Sequence, residues 1–194
     1  MGEREDRGRV PFALVGVLLL VSSATIAATG GQQSVTHEPT VERAIERADA
    51  ATVATLRRAT RKAADEAARR PVTVAANGSV GHALGDDPFR DALRLRAYLA
   101  VRNDLRTVRA GAGDVTVRAR LPAVTNDSTR AVRAAIDRVR IGRAGPNGTA
   151  LRATVRNVTL VARREGRVVD RVTRSPSVVV ASPVLVLHER AEAF

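Results

Sequence analysis

The first hydrophobic feature of the chain is a run without charge. Residues 1–9 carry Glu3, Arg4, Glu5, Asp6, Arg7 and Arg9, and then no charged residue occurs from Val10 to Ala28. Val, Leu, Ile and Ala dominate that run. As a helix its 19 residues span about 28 Å, close to the hydrocarbon thickness of a bilayer. Arg7 and Arg9 sit at its leading edge, where cytoplasmic cations belong. The pattern predicts a cytoplasmic N-terminus at 1–9, a transmembrane helix or signal segment at 10–28 and a polar linker at 29–38. Retention as an anchor uses the full length. Cleavage would fall at Thr25-Ile26-Ala27 or Ile26-Ala27-Ala28, both weak sites.

Glu38-Pro39 then starts a helix with proline in its first turn. It is expected to run to about Arg69 and stop at Pro71. Val41, Ile45, Ala48, Thr52, Leu56, Ala59, Ala63 and Ala67 recur every three to four residues as a thin, alanine-rich stripe. Such a stripe packs on another helix or on a neighbouring copy. Val72 to Gly85 reads as a loop or short extended piece. Asp86-Asp87-Pro88 marks a second helix start, with an aspartate cap before proline. Phe89, Leu93, Ala97, Val101, Leu105 and Val108 form its apolar face, and Gly111-Ala112-Gly113 ends it.

From Asp114 to Leu121 the period changes to two. Val115, Val117, Ala119 and Leu121 face inward, while Thr116, Arg118 and Arg120 face outward. Asp127 or Ser128 caps a short helix with Val132, Ala135, Ile136 and Val139 on one side. Three extended runs follow, at about Val139–Ala144, Ala150–Arg163 and Arg167–Ala181. Turns at Gly145-Pro146-Asn147-Gly148 and Glu165-Gly166 make them an antiparallel meander. Leu151, Ala153 and Val155 are out of phase with Val158, Leu160 and Ala162. A β-bulge near Arg156-Asn157 would reconcile the two sets. Pro176 marks an edge or a break. Ser182-Pro183 opens a last helix that lacks a C-cap, as expected either of an element continuing in a longer protein or of a helix frayed at a chain terminus. The fold expected is therefore α+β: a transmembrane helix, then helices packed on a small antiparallel sheet of about four strands. An extracytoplasmic domain would occupy 39–181 and a closing helix 182–194.

Composition narrows the chemistry. The chain has no cysteine, which removes disulfides, thiolate nucleophiles and cysteine metal sites. An extracytoplasmic domain without disulfides fits a prokaryotic envelope better than a small secreted eukaryotic one. Phe12, Phe89, Tyr98 and Phe194 are the only aromatic residues. Too few rings remain for a base-stacking platform, which argues against nucleic acid as a partner. His37, His82 and His188 lie far apart, and His188 with Glu192 reads as a surface pair on one helix face. Asp86-Asp87 reads as a helix cap. No phosphate loop, nucleophile elbow or zinc motif occurs. The expectation is a protein with no catalysis, no cofactor and no metal.

Two features point outward. Asn77, Asn126, Asn147 and Asn157 each begin an N-x-Ser/Thr sequon, leaving Asn103 as the only other asparagine. They are candidate N-glycosylation sites on a surface outside the cell, although Asn-Gly turn chemistry enriches the same pattern. The formal net charge is +12, and Lys62 is the only lysine. Between Asp127 and Arg174 there are twelve arginines against four acidic residues. Arg118, Arg120, Arg138, Arg140, Arg152, Arg156 and Arg171 fall in or beside the expected strands. If several share a solvent face, they form a cationic plaque that concentrates anionic partners such as acidic glycans, acidic proteins or lipid head groups. A solvated sheet face filled with arginine is the plainer alternative.

The stretch Arg7-Gly8-Arg9-Val10-Pro11-Phe12-Ala13-Leu14 resembles the N-terminal anchor of Tad-type minor pilins and pseudopilins. Pro11 stands where that family carries the glutamate used in processing and assembly. The whole chain also resembles the N-terminal region of an uncharacterised family of haloarchaeal membrane proteins, associated with type IV pilus-like gene clusters. That resemblance rests on DRGRVPFALVGVLLLVSSAT, RADAAT, PFRDALRLR and SPSVVVASPVLVLHERAEAF. It implies a single-pass cell-membrane protein with its domain outside, acting as a structural or accessory component of a pilus-like or secretion-type assembly. The alternatives are secretion after signal cleavage, and a surface module that binds anionic polymers.

Overall fold

The computed structural model describes residues 38–74, 77–124 and 128–193. The expected anchor at 10–28, its flanks and the sequon asparagine Asn126 lie outside the described residues. No helix among the described residues is long and apolar enough to cross a membrane.

Helix α1 spans Pro39–Arg69, with Pro39 in its first turn as the sequence requires. Its stripe is wholly interior: Ala44, Ala48, Leu56, Ala59 and Ala67 have no solvent exposure. The stripe packs on helix α3 (Pro88–Leu105) and on strands of both sheets described below. Alanine at these positions lets the helix axes and the sheet approach closely. Nothing of the stripe is left over for a neighbouring copy. A short helix α2 (Ser79–Ala83) lies in the stretch expected to be a loop or short extended piece. The Asp87 carboxylate caps α3 by accepting from the Arg90 N–H at 2.8 Å.

After α3 the chain forms β1 (Arg109–Ala112) and β2 (Val115–Arg120), helix α4 (Thr129–Asp137) and β3 (Val139–Ala144). It continues as β4 (Ala150–Val155), β5 (Val158–Arg164), β6 (Arg167–Arg174) and β7 (Ser177–Ala181), closing with helix α5 (Val184–Glu192). The strands make two antiparallel sheets, ordered β1-β2-β5-β6 and β3-β4-β7. This corrects the expectation of one sheet of about four strands.

The split has a local cause. The run from Ala150 to Arg164 is two strands in different sheets, and so is the run from Arg167 to Ala181. Both break at the same level: Val158 pairs with Arg174 above the break, and Thr154 with Ser177 below it. Pro176 has no N–H for a ladder, while its carbonyl accepts from Val155 N–H at 3.0 Å. Asn157 opposite adopts φ 60°. The phase change at Arg156-Asn157 is therefore a corner between sheets and not a bulge. A register shift does occur, between Ala162 and Arg163 beside the Glu165-Gly166 turn. The corner keeps both apolar sets on one side. Val117, Ala119, Leu160 and Ala162 from one sheet join Leu151, Ala153, Val155 and Val180 from the other in one core with α1 and α3.

Strand β1 also differs from expectation. Helix α3 stops at Leu105, and Arg109–Ala112 pairs with β2 around a turn at Gly113 (φ 56°). Gly111 had marked the residues as a terminator, although glycine is tolerated in a short edge strand.

Two polar groups tie the helices down. Asp91 is 4% exposed. It accepts from Gly85 N–H, Arg94 Nη1 and Arg133 Nη1, each at 2.9 Å, and so joins α3, α4 and the loop before α3. Tyr98 is fully buried, and its hydroxyl donates to the Pro122 carbonyl at 2.8 Å. Burial raises the phenol pKa above 10.0, against smaller lowering from Arg138 and Arg102. The folded state thus favours the neutral phenol. Its contribution to stability is complete below the unfolded pKa of about 10 and is lost as pH rises through the folded value. Alkaline unfolding titrations should show this loss, and Tyr98→Phe should remove it while costing about 1 kcal/mol at neutral pH. An unchanged alkaline limb in Tyr98→Phe would contradict that role.

Candidate anion-binding face

Strand alternation decides where the arginines go. On β2, Val115, Val117 and Ala119 are buried and Thr116, Arg118 and Arg120 are exposed. Residues directly opposite on antiparallel strands share a face. Arg118 pairs with Arg109 on β1 and with Val161 on β5, and Val161 pairs with Arg171 on β6. Thr116 pairs with Arg163. Arg109, Arg118, Arg120, Arg163 and Arg171 therefore occupy one outer face of the four-stranded sheet. Thr116, Thr159 and Thr173 lie among them.

The other sheet repeats the arrangement more sparsely. Arg140 pairs with Thr154, and Arg152 with Gly142 and Val179, all facing outward. Arg138 and Arg156 belong to neither face. Arg138 caps the C-terminus of α4, with Nη1 donating to the Ala134 carbonyl at 3.2 Å. Arg156 sits at the corner, its N–H donating to the Arg138 carbonyl at 2.8 Å. Of the seven arginines singled out from the sequence, three share one sheet, two share the other and two mark the corner. Arg109 and Arg163 belong with the first group. Arg109 was hidden because β1 was missed, and Arg163 because it stands near the end of its strand, just before the Glu165-Gly166 turn.

The arginines divide by partner. Arg90, Arg94, Arg133, Arg143 and Arg164 all face carboxylates within 4.0 Å. Arg164 is held by Glu38 and Asp114, each at 2.8 Å, and hydrogen bonding to Glu38 raises its pKa further. Among the described residues, Arg109, Arg118, Arg120, Arg140 and Arg152 form no ion pair. The first set is structural. The second is charge displayed outward, with Arg109 directly opposite Arg118, an arrangement that destabilises a sheet.

The other candidate residues are placed as follows. Asn77, Asn147 and Asn157 are exposed, in turns. Asn147 and Asn157 have φ 56° and 60°, backbone that favours asparagine without any glycan. His82 Nδ1 lies 2.7 Å from the Gly78 carbonyl. His188 is no plain surface residue: its ring stacks on Phe89 at 3.9 Å, with Nε2 3.2 Å from Glu192. Among the described residues no group of three His, Cys, Asp or Glu is placed to hold a metal ion.

No curated protein and no solved structure matches this chain. A family model does match, over residues 4–194, and the chain thereby belongs to a family of unknown function, DUF7286.

Proposed function

We propose that this protein is a membrane-anchored, non-catalytic domain outside the cell that holds anionic polymers on its arginine-bearing sheet face. One observation carries the reading: Arg109, Arg118, Arg120, Arg163 and Arg171 share one outer face. Like charges across neighbouring strands cost stability. Arg90, Arg94, Arg133, Arg143 and Arg164 are paired with carboxylates, whereas these five face outward without one among the described residues, where an external anion relieves the repulsion. The placement outside rests on the 10–28 run, the flanking Arg7 and Arg9, and the exposure of Asn77, Asn147 and Asn157. Acidic glycans are the partner class that suits it, because among the described residues Phe89 and Tyr98 are both buried and offer no base-stacking surface.

The test replaces Arg109, Arg118, Arg120 and Arg171 with Gln and measures retention on dextran sulfate. The expected outcome is loss of salt-sensitive retention with the unfolding midpoint little changed. Unchanged retention would remove the sheet face from the account.

A second reading is an accessory of a pilus-like or secretion-type envelope assembly, in line with the resemblance of the N-terminal run to pilin anchors. Its support in the fold is the outer edge formed by β6 and β7, where Val168, Val169 and Val179 are exposed. An open strand edge can accept a further strand. The α1 stripe lends it none, being spent inside the domain. In this reading the same Gln variant would fail in assembly and keep its retention.

A further inference from the structure

We infer that Arg102, Arg106, Arg118 and Arg120 form a discrete pocket for a sulfate or phosphate ester carried on a small saccharide. The inference rests on the anion-binding reading above and assigns that surface a specific seat. Strand β1 pairs with β2 only as far as Arg118. Past that point the β2 edge is uncovered by β1, and the C-terminal turn of α3 comes alongside. The concavity there measures about 290 Å³ and is lined by Arg102, Leu105, Arg106, Arg118, Ala119, Arg120 and Leu121.

The chemistry of the lining is one-sided. Arg102 and Arg106 are one helical turn apart and share a face of α3. Arg118 and Arg120 are two apart and share the outer face of β2. No acidic residue lines the pocket. Among the described residues, none of the four guanidiniums has an ion pair or a side-chain hydrogen bond. The α3 C-terminus opposes an anion with roughly half a negative charge. Four full positive charges outweigh it.

A carboxylate offers one planar pair of oxygens, which a single guanidinium satisfies. A tetrahedral ester presents several oxygens in different directions, which suits donors arriving from a helix and from a strand. Leu105, Ala119 and Leu121 add apolar lining. A site of this size is near the lower end for small-molecule pockets, large enough for more than a bare ion. No ring lines it, so a nucleobase gains nothing there. A second concavity, of about 360 Å³, shares Arg118 and Arg120 and adds Arg163, but Asp114 and Glu165 line it as well, so the carboxylate-free seat for the ester is the smaller one.

Calorimetry on the full chain tests this with four probes: inorganic sulfate, inorganic phosphate, a sulfated disaccharide and a hexose phosphate. At least one ester should bind tenfold or more tightly than its free ion, and the tighter of the two identifies the ester. Arg102→Gln with Arg106→Gln should weaken that binding at least tenfold. Both positions lie off the sheet face, so dextran sulfate retention should fall much less. Arg140→Gln with Arg152→Gln should leave ester binding intact. Thermal unfolding of each variant confirms the fold. Free ions bound as well as the esters, or ester binding indifferent to the Arg102 and Arg106 substitutions, would overturn the pocket. Ester binding in a wild-type protein that ignores dextran sulfate would instead keep the pocket and refute the polymer-binding function.

Discussion

Asp91→Ala is expected to destabilise the domain by about 3 kcal/mol, measured as a lower urea midpoint with an unchanged slope. The Asp91 side chain is 6% exposed and holds three donors at once. Its removal leaves Arg94 and Arg133 facing one another across an empty site, with the Gly85 N–H unpaired. Breaking a buried pair from one side costs about 3–5 kcal/mol. The lower end applies because the Arg133 side chain is 46% exposed and that of Arg94 28%, so both recover some water. Asp91→Asn should cost less, since the amide oxygen still accepts one bond. Crowding the site from the other side has a similar origin: a Cβ at Gly85 would stand 3.1 Å from Arg133 Nη1 and 3.2 Å from Asp91 Oδ2. A loss under about 1 kcal/mol in Asp91→Ala would mean that helix packing alone fixes α3 against α4.

Leu56→Ala is expected to cost about 2–5 kcal/mol. Leu56 lies midway along α1, fully buried among the core residues contributed by α3 and the sheets. Its truncation leaves a cavity inside that core, which the surrounding helices and strands refill only in part. The companion change Ala59→Leu should cost about 1–3 kcal/mol by overpacking the same contact. Both effects should be independent of protein concentration. A stripe that served contacts between copies would leave the monomer's midpoint unmoved and make any loss depend on concentration.

Much of this architecture is legible in the sequence wherever a single element explains its own pattern. Pro39 and Pro71 bracket α1, and Asp87-Pro88 starts α3. Ser128 caps α4, with its hydroxyl accepting from the Ala131 N–H at 3.4 Å. The alternation from Val115 to Arg120 predicts which arginines face outward on β2. What is not legible depends on partners. Periodicity assigns a face to each residue of β4 and β5 but says nothing of which strand lies beside them, so two sheets read as one meander. Strand β1 is four residues with a glycine inside, too short to show a period. Asp91 reads as an ordinary acidic residue in a first helical turn, and only the folded chain brings Arg133 to it. The same holds for the arginine pocket. Arg102 and Arg106 belong to a helix, and Arg118 and Arg120 to a strand. Their association follows from where β1 stops.

If the outward arginines hold a polyanion, dextran sulfate binding to the wild-type protein must depend steeply on salt. Neutralising about five charges on the sheet face should release somewhat fewer than five counterions, giving a log–log slope of roughly −4. Binding should be strong at low salt and fall along such a slope, and the slope should become shallower once Arg118 and Arg120 are replaced. Absent binding at low salt, or a slope near zero, would contradict polyanion binding on this face.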